Sequence, residues 1–95
     1  MKQSPAVYYR KQAQIRELLG KQGKIEVLTK IKGKKRYSGI IVCKKRKVVS
    51  EIISDYRKPQ AGDRVIGVLR IIKTNGKTGL IEYGVKFQLL EEVNY

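Results

Sequence analysis

The amino-acid sequence predicts a mainly β protein, with an N-terminal helix followed by a five-stranded OB-like barrel; an SH3-like barrel is the alternative. The length of 95 residues fits one small domain. The hydrophobic period changes from helical to alternating after residue 20, and five alternating segments rich in Ile and Val follow. A closed barrel also removes strand edges that so short a chain cannot cover otherwise. We therefore expect a single domain, with the helix within residues 1–22 and the barrel over 23–95.

The first predicted element is a helix over residues 5–19. Ser4 can cap the free N–H groups at its start, and Pro5 is tolerated at the first helical position. Gly20 is suited to end the helix in the left-handed conformation. One helical face carries the apolar side chains Tyr8, Ile15, Leu18 and Leu19.

Alternation then predicts five strands, over residues 24–32, 37–44, 48–56, 64–72 and 79–90. The connections have turn chemistry: the basic loop GKKR (33–36), the compact basic turn KKRK (44–47), the polar segment RKPQAGD (57–63) and the Asn75-Gly76 hairpin signal. Glycines inside strands mark bulges or barrel corners, at Gly39, Gly67 and Gly84.

In two of the predicted strands, the alternation indicates which side chains share a face. In the first, one face is expected to hold Ile25, Val27, Thr29 and Ile31. In the last, one face is expected to hold Ile81, Tyr83, Val85, Phe87 and Leu89, with Glu82, Gly84, Lys86 and Gln88 opposite. Gly84 is expected to let this last strand bend.

The composition argues against an enzyme. The chain has no histidine and a single cysteine, which excludes an intramolecular disulfide, a Cys/His zinc site and histidine-based catalysis. We expect Cys43 to be a buried, inert thiol. Glu51 and Asp55 stand four apart on a predicted strand, and a structural, salt-bridging role fits them better than acid–base chemistry. No cofactor is implied.

The sequence also bears on location. No apolar run approaches the ~18 residues that span a bilayer, and the start MKQSPAVYYR has no signal-peptide core. We therefore expect a cytoplasmic protein without a membrane partner.

The charge indicates a polyanionic partner. Lys and Arg number 22 against 8 Asp and Glu, a net charge of +14, and such a field attracts polyanions, namely nucleic acid, phosphorylated cofactors or an acidic protein surface. In OB barrels the usual groove for single strands is the face of strands two and three with the loops between strands one and two and between strands four and five. Tyr37 and Tyr56 either stack on a base or pack against the core. We predict that single-stranded DNA or RNA contacts Lys32, Lys34, Lys35, Arg36, Tyr37, Lys44, Lys45, Arg46, Lys47, Tyr56, Arg57 and Lys58.

Three stretches carry a resemblance to a known family: IIVCKKRKVVSEII (40–53), AGDRVIGVLRII (61–72) and GLIEYGVKF (79–87). Over roughly residues 25–90, the chain resembles the acyl-CoA-associated OB-fold family, whose members commonly pair a zinc ribbon with an OB barrel. RELLG (16–20) looks like the end of that family's N-terminal helix. The ribbon itself is missing, because GKQGK (20–24) leads straight into the first strand.

This resemblance implies an alternative function. It points to a non-catalytic accessory or scaffold module that binds CoA or an acyl-CoA enzyme of the thiolase or hydroxymethylglutaryl-CoA synthase type, as archaeal relatives do. CoA carries phosphate groups with which a lysine-rich rim is compatible. We place nucleic acid first, because the ribbon is missing while the charge is a direct property of this chain.

Overall fold

A computed structural model describes residues 7–9, 12–31 and 36–93 of the chain. A short strand and a helix precede five long strands, and a 3-10 turn follows them at Leu90–Glu92. The elements are β1 (Val7–Tyr9), α1 (Gln12–Leu18), β2 (Gln22–Ile31), β3 (Arg36–Cys43), β4 (Arg46–Ile53), β5 (Arg64–Thr74) and β6 (Ile81–Leu89).

Strands β2 to β6 close into a barrel. β2, β3 and β4 form an antiparallel meander. β4 then pairs in parallel with β6, where Ile52 lies opposite Phe87. β6 pairs antiparallel with β5, and β5 returns to β2, where Val65 lies opposite Gly23. This strand order confirms the predicted five-stranded OB-like barrel.

The barrel interior is apolar and receives at least one residue from each strand. Fully buried core side chains are Ile25, Ile41, Ile52, Val65, Phe87 and Leu89. Leu18, at the end of α1, joins this cluster, so the helix contributes to the core of the barrel. Cys43 is also buried in it, as the sequence predicted.

The N-terminal segment differs from its prediction. The expected helix over 5–19 is shorter, at Gln12–Leu18, and Val7–Tyr9 is a strand that pairs in parallel with the start of β6. The reason is an open edge, because β4 pairs only with residues 87–88 of β6 and leaves residues 81–83 for another strand. Val and Tyr favour such a position. No helix in the described ranges has the length and apolar character needed to cross a membrane.

Gly67 lets the end of α1 approach the barrel. Gly20 N–H donates to the Gly67 carbonyl at 2.9 Å, and Gly67 N–H donates to the Lys21 carbonyl at 3.0 Å. A Cβ on Gly67 would collide with the carbonyl oxygen of Leu18. Gly20 has a φ of 76° and ends the helix in the left-handed conformation, as predicted. Gly67 is therefore a site of close backbone approach.

The predicted face of β2 is wrong at Val27 and Thr29. The pairing of β2 with β3 shifts register between Ile25 and Val27 and again between Leu28 and Lys30. Such bulges put two residues opposite one and turn the following side chains to the other face. Ile25 is buried, whereas Val27 and Thr29 are exposed.

The faces of β6 are only partly as predicted. Phe87 and Leu89 lie in the core and Val85 packs against it. The opposite face, however, is also covered along much of its length, because Glu82, Lys86 and Gln88 are buried. Gly84 lies under the side chain of Ile72, the residue at which β5 changes register. The glycine therefore makes room for Ile72.

Candidate nucleic-acid interface

A two-lysine turn joins β3 to β4. Cys43 pairs with Arg46, so Lys44 and Lys45 alone form the connection, with φ values of 51° and 65°. Two positive φ values define the type I′ turn, for which Asn-Gly is the preferred sequence. For other residues the left-handed conformation costs roughly 1–2 kcal/mol each. Both lysines are exposed. Of the predicted segment KKRK (44–47), only Lys44 and Lys45 therefore form the turn itself.

The other two basic residues of this segment open β4 and are ion-paired. Arg46 Nη1 lies 2.5 Å from Glu17 Oε2, and Lys47 Nζ lies 3.1 Å from Glu26 Oε1. These pairs are exposed and contribute little to stability. Lys44 and Lys45 have no carboxylate partner within the described part of the chain. We call Lys44–Lys47 the basic turn; it holds four cations against two carboxylates.

A second basic segment lies at the opposite end of β3. Arg36 begins this eight-residue strand and Cys43 ends it, so the two ends lie about 23 Å apart at the rise of an extended chain. Arg36 is 61% exposed, and its Nε lies 3.3 Å from Glu51 Oε1. The predicted contacts Lys32, Lys34 and Lys35 precede it and fall outside the described residues.

Between these two ends, three apolar residues form a row across the outer faces of β2, β3 and β4, and Glu51 lies beside this row on the same face of β4. Ile40 lies directly opposite Val27 on one side and Val49 on the other. Val49 is 75% exposed and Val27 is 42% exposed. We call these three residues the apolar row. Tyr37, expected either to stack on a base or to pack inside, packs against the core.

The third predicted segment, Tyr56, Arg57 and Lys58, lies in a different setting. Arg57 makes two hydrogen bonds to Asp63 and one to Glu91. The Arg57 guanidinium, with the Gln60 backbone N–H, holds the pKa of Asp63 below its usual range. In turn, hydrogen bonds to Asp63 and Glu91 raise the pKa of Arg57. Arg57 is thus engaged in holding the β4–β5 loop.

Carboxylates dominate this corner of the barrel. Glu92 accepts hydrogen bonds from the backbone N–H groups of Asp55, at 2.9 Å, and Tyr56, at 3.2 Å. Tyr56 is 86% exposed, and Lys58 is also exposed. The segment carries two cations beside four carboxylates, namely Asp55, Asp63, Glu91 and Glu92. The structure therefore does not join Tyr56, Arg57 and Lys58 to a basic surface.

A cleft of about 610 Å³ lies beside Arg36, between the β3–β4 hairpin and the β5–β6 hairpin. On its floor, Lys86 Nζ lies 3.3 Å from Glu51 Oε2, and Arg70 donates to the amide oxygen of Gln88. As predicted, Glu51 serves in ion pairs. The lining residues are Arg36, Ile53, Asp55, Leu69, Arg70, Ile71, Tyr83 and Lys86.

Sequence reasoning missed Arg70, Tyr83 and Lys86 as candidate contacts. A signal was present, because Arg70 and Lys86 are cations in the interior of β5 and β6. Cations inside these strands indicate that the outer face of the sheet carries charged groups. The alternation of the two strands did not show that other residues cover this face.

The fold and these surfaces define a small, basic protein with an OB-like barrel. No protein-family model matches the chain, and comparison with curated proteins finds no similar sequence.

Proposed function

We propose that this protein binds single-stranded DNA or RNA along the outer face of β3 and β4, in the cytoplasm and without catalysing a reaction. The observation that carries the proposal is the turn at Lys44 and Lys45. Both residues are left-handed, exposed and without a carboxylate partner among the described residues. Strained backbone persists at positions where function uses it. Here lysines occupy both left-handed positions of the turn, although Asn-Gly would form it at a lower cost in backbone strain.

The arrangement of the outer face supports the same proposal. Phosphates meet cations at both ends, at the basic turn and at Arg36, while the apolar row between them offers a surface for bases. The ~23 Å between the ends of β3 suits the roughly 4–16 nucleotides that OB folds cover. Ile40 and Val49 present no hydrogen-bonding side-chain groups to base edges. We therefore expect binding with weak sequence preference.

The direct test is a salt-titrated binding assay. We expect fluorescence anisotropy to show micromolar or tighter binding of labelled single strands of about 12 nucleotides. Log affinity should fall linearly with log salt, by about 0.7 per phosphate neutralised. Salt-insensitive binding, or no binding at low salt, contradicts the proposal.

A substitution at Val49 tests whether the apolar row takes part. Val49→Glu puts a negative charge in the middle of the face and should weaken binding about tenfold. Thr74→Glu is the control, because it adds the same charge at an exposed position at the end of β5. Equal losses in the two variants would mean that the bound strand does not lie along this face.

A second candidate function is binding of CoA or of an acyl-CoA enzyme. The observation that favours it is that the stretch resembling the acyl-CoA-associated family contributes Tyr83 and Lys86 to the cleft beside Arg36. CoA belongs in the same assay as a separate ligand, and co-purification with a thiolase-type enzyme is the matching experiment. Binding of CoA without binding of either nucleic acid would replace the first proposal with this one.

A further inference from the structure

A second basic site shares Lys44 and Arg46 with the basic turn. A cavity of about 390 Å³ opens between the end of α1 and the β3–β4 connection. Its apolar walls include Leu18 and Cys43, both buried in the core. Four cations line it: Arg16, Lys21, Lys44 and Arg46.

These cations come from separate parts of the chain. Arg16 belongs to α1, Lys21 to the connection between α1 and β2, and Lys44 to the strained turn, while Arg46 begins β4. Like charges brought together by folding repel one another unless an anion lies among them. The cluster thus has a cost that an anionic ligand would offset.

The single carboxylate in the cavity does not balance this charge. Glu17 is the only lining carboxylate within the described residues, and it is bound to Arg46. Arg16, Lys21 and Lys44 have no carboxylate partner in the described part of the chain. The cavity therefore holds a net positive charge from three cations, beside a floor that excludes water from one side.

We infer that this cavity binds a phosphate group and, given the proposed function on which this inference rests, takes the terminal phosphate of a bound strand. A terminal phosphate carries roughly −1.5 to −2 charges at pH 7 and three acceptor oxygens, whereas each internal phosphate carries a single charge. Several converging cations favour the more highly charged group. The cavity lies beside the basic turn, where the proposed path along β3 and β4 ends.

The test compares strands of one sequence ending in a 5′-phosphate, a 3′-phosphate or hydroxyl groups only. We expect one phosphorylated strand to bind about tenfold more tightly than the hydroxyl-ended strand. In the variant Arg16→Gln/Lys21→Gln this ratio should fall to about one, with under about threefold loss for the hydroxyl-ended strand. Lys73→Gln/Lys77→Gln removes the same charge from β5 and the β5–β6 turn and should leave the ratio unchanged. Circular dichroism verifies that each variant is folded.

Titration with pyrophosphate separates the two proposals. Tight binding of hydroxyl-ended strands with no effect of phosphorylation at either end overturns the cavity inference and leaves the proposed function standing. If no strand binds at low salt, the proposed function fails. In that event, pyrophosphate binding that Arg16→Gln/Lys21→Gln abolishes still identifies a phosphate site. If pyrophosphate does not bind either, the cavity inference fails as well.

Discussion

The guanidinium of Arg57 and the carboxylate of Asp63 face each other in a two-bond fork. Nη1 donates to Oδ2 at 2.8 Å, and Nη2 donates to Oδ1 at 3.1 Å. Asp63 also accepts the backbone N–H of Gln60 at 2.7 Å. The fork joins Arg57, within the connection between β4 and β5, to Asp63 at the end of that connection, which has no helix or strand of its own. Arg57, which the sequence indicated as a nucleic-acid contact, therefore also stabilises the connection between β4 and β5.

Asp63→Asn should lower the melting temperature at neutral pH by a few degrees and flatten its dependence on acidic pH. The pKa of Asp63 is lowered in the folded state, while an unfolded Asp titrates near 3.9. The stabilisation is therefore complete above about pH 4 and is lost as the pH falls through the lower folded value. Melting curves between about pH 2 and 7 measure this.

In that experiment, the wild type and Asp63→Asn should converge at the acidic end. Arg57→Gln is the partner variant, and it removes the fork together with the contact between Arg57 and Glu91. The double variant Arg57→Gln/Asp63→Asn should then be less destabilised than the sum of the two single variants. A wild-type advantage that stays constant over the whole pH range would show that the fork does not stabilise the loop through its charge.

Gly67→Ala should destabilise the protein by about 2 kcal/mol or more, because the new methyl group meets backbone atoms that cannot move independently. The added Cβ would collide with the Leu18 carbonyl oxygen and lie 2.9 Å from its carbon. Gly76→Ala is the matched control, since nothing lies within 4 Å of the position that its Cβ would occupy. We expect its unfolding free energy to change by less than about 0.5 kcal/mol. Urea unfolding measures both, and equal effects would contradict the docking of α1 on Gly67.

The buried cation Lys86 predicts an asymmetry between the two members of its ion pair. Its side chain is 11% exposed, and its Nζ lies 3.3 Å from Glu51 Oε2. Glu51→Gln leaves this ammonium without its carboxylate and should cost about 2 kcal/mol or more. Lys86→Met replaces the cation with an apolar chain of similar size and should cost about 1 kcal/mol. Urea unfolding of the two variants compares these costs, and the reverse order would show that Lys86 does not depend on Glu51.

The parts of the fold that were predictable depend on residues close together in sequence. Alternation located the five barrel strands, and Gly20 ended the helix. What the sequence could not predict depends on distant partners. The edge of β6 that recruits β1 exists only because β4 pairs further along that strand. The bulges of β2 likewise depend on its pairing with β3.

The same division holds for the site. The basic turn was visible as a run of charges. The difference between its members was not, since Arg46 and Lys47 find carboxylates 29 and 21 residues away. Tyr37 packs against the core because of its position in β3. Arg57 is bound to the carboxylates of Asp63 and Glu91. Local sequence therefore identified the cations, whereas the fold decides which of them are available to a ligand.

Lys44→Asn/Lys45→Gly should separate stability from binding. Asn-Gly adopts the type I′ turn readily, so relief of the left-handed strain should stabilise the fold by about 1 kcal/mol. The melting temperature should rise by roughly 4–8 °C. Strain relief does not depend on salt, whereas relief of charge repulsion does, so the rise should persist at high salt.

Affinity for single strands should fall, and the salt slope should decrease by about 1.4 if each lysine neutralises one phosphate. Lys73→Gln/Lys77→Gln removes two charges elsewhere and should lower affinity less. A more stable variant with unchanged affinity and slope would mean that the strained lysines do not contact nucleic acid.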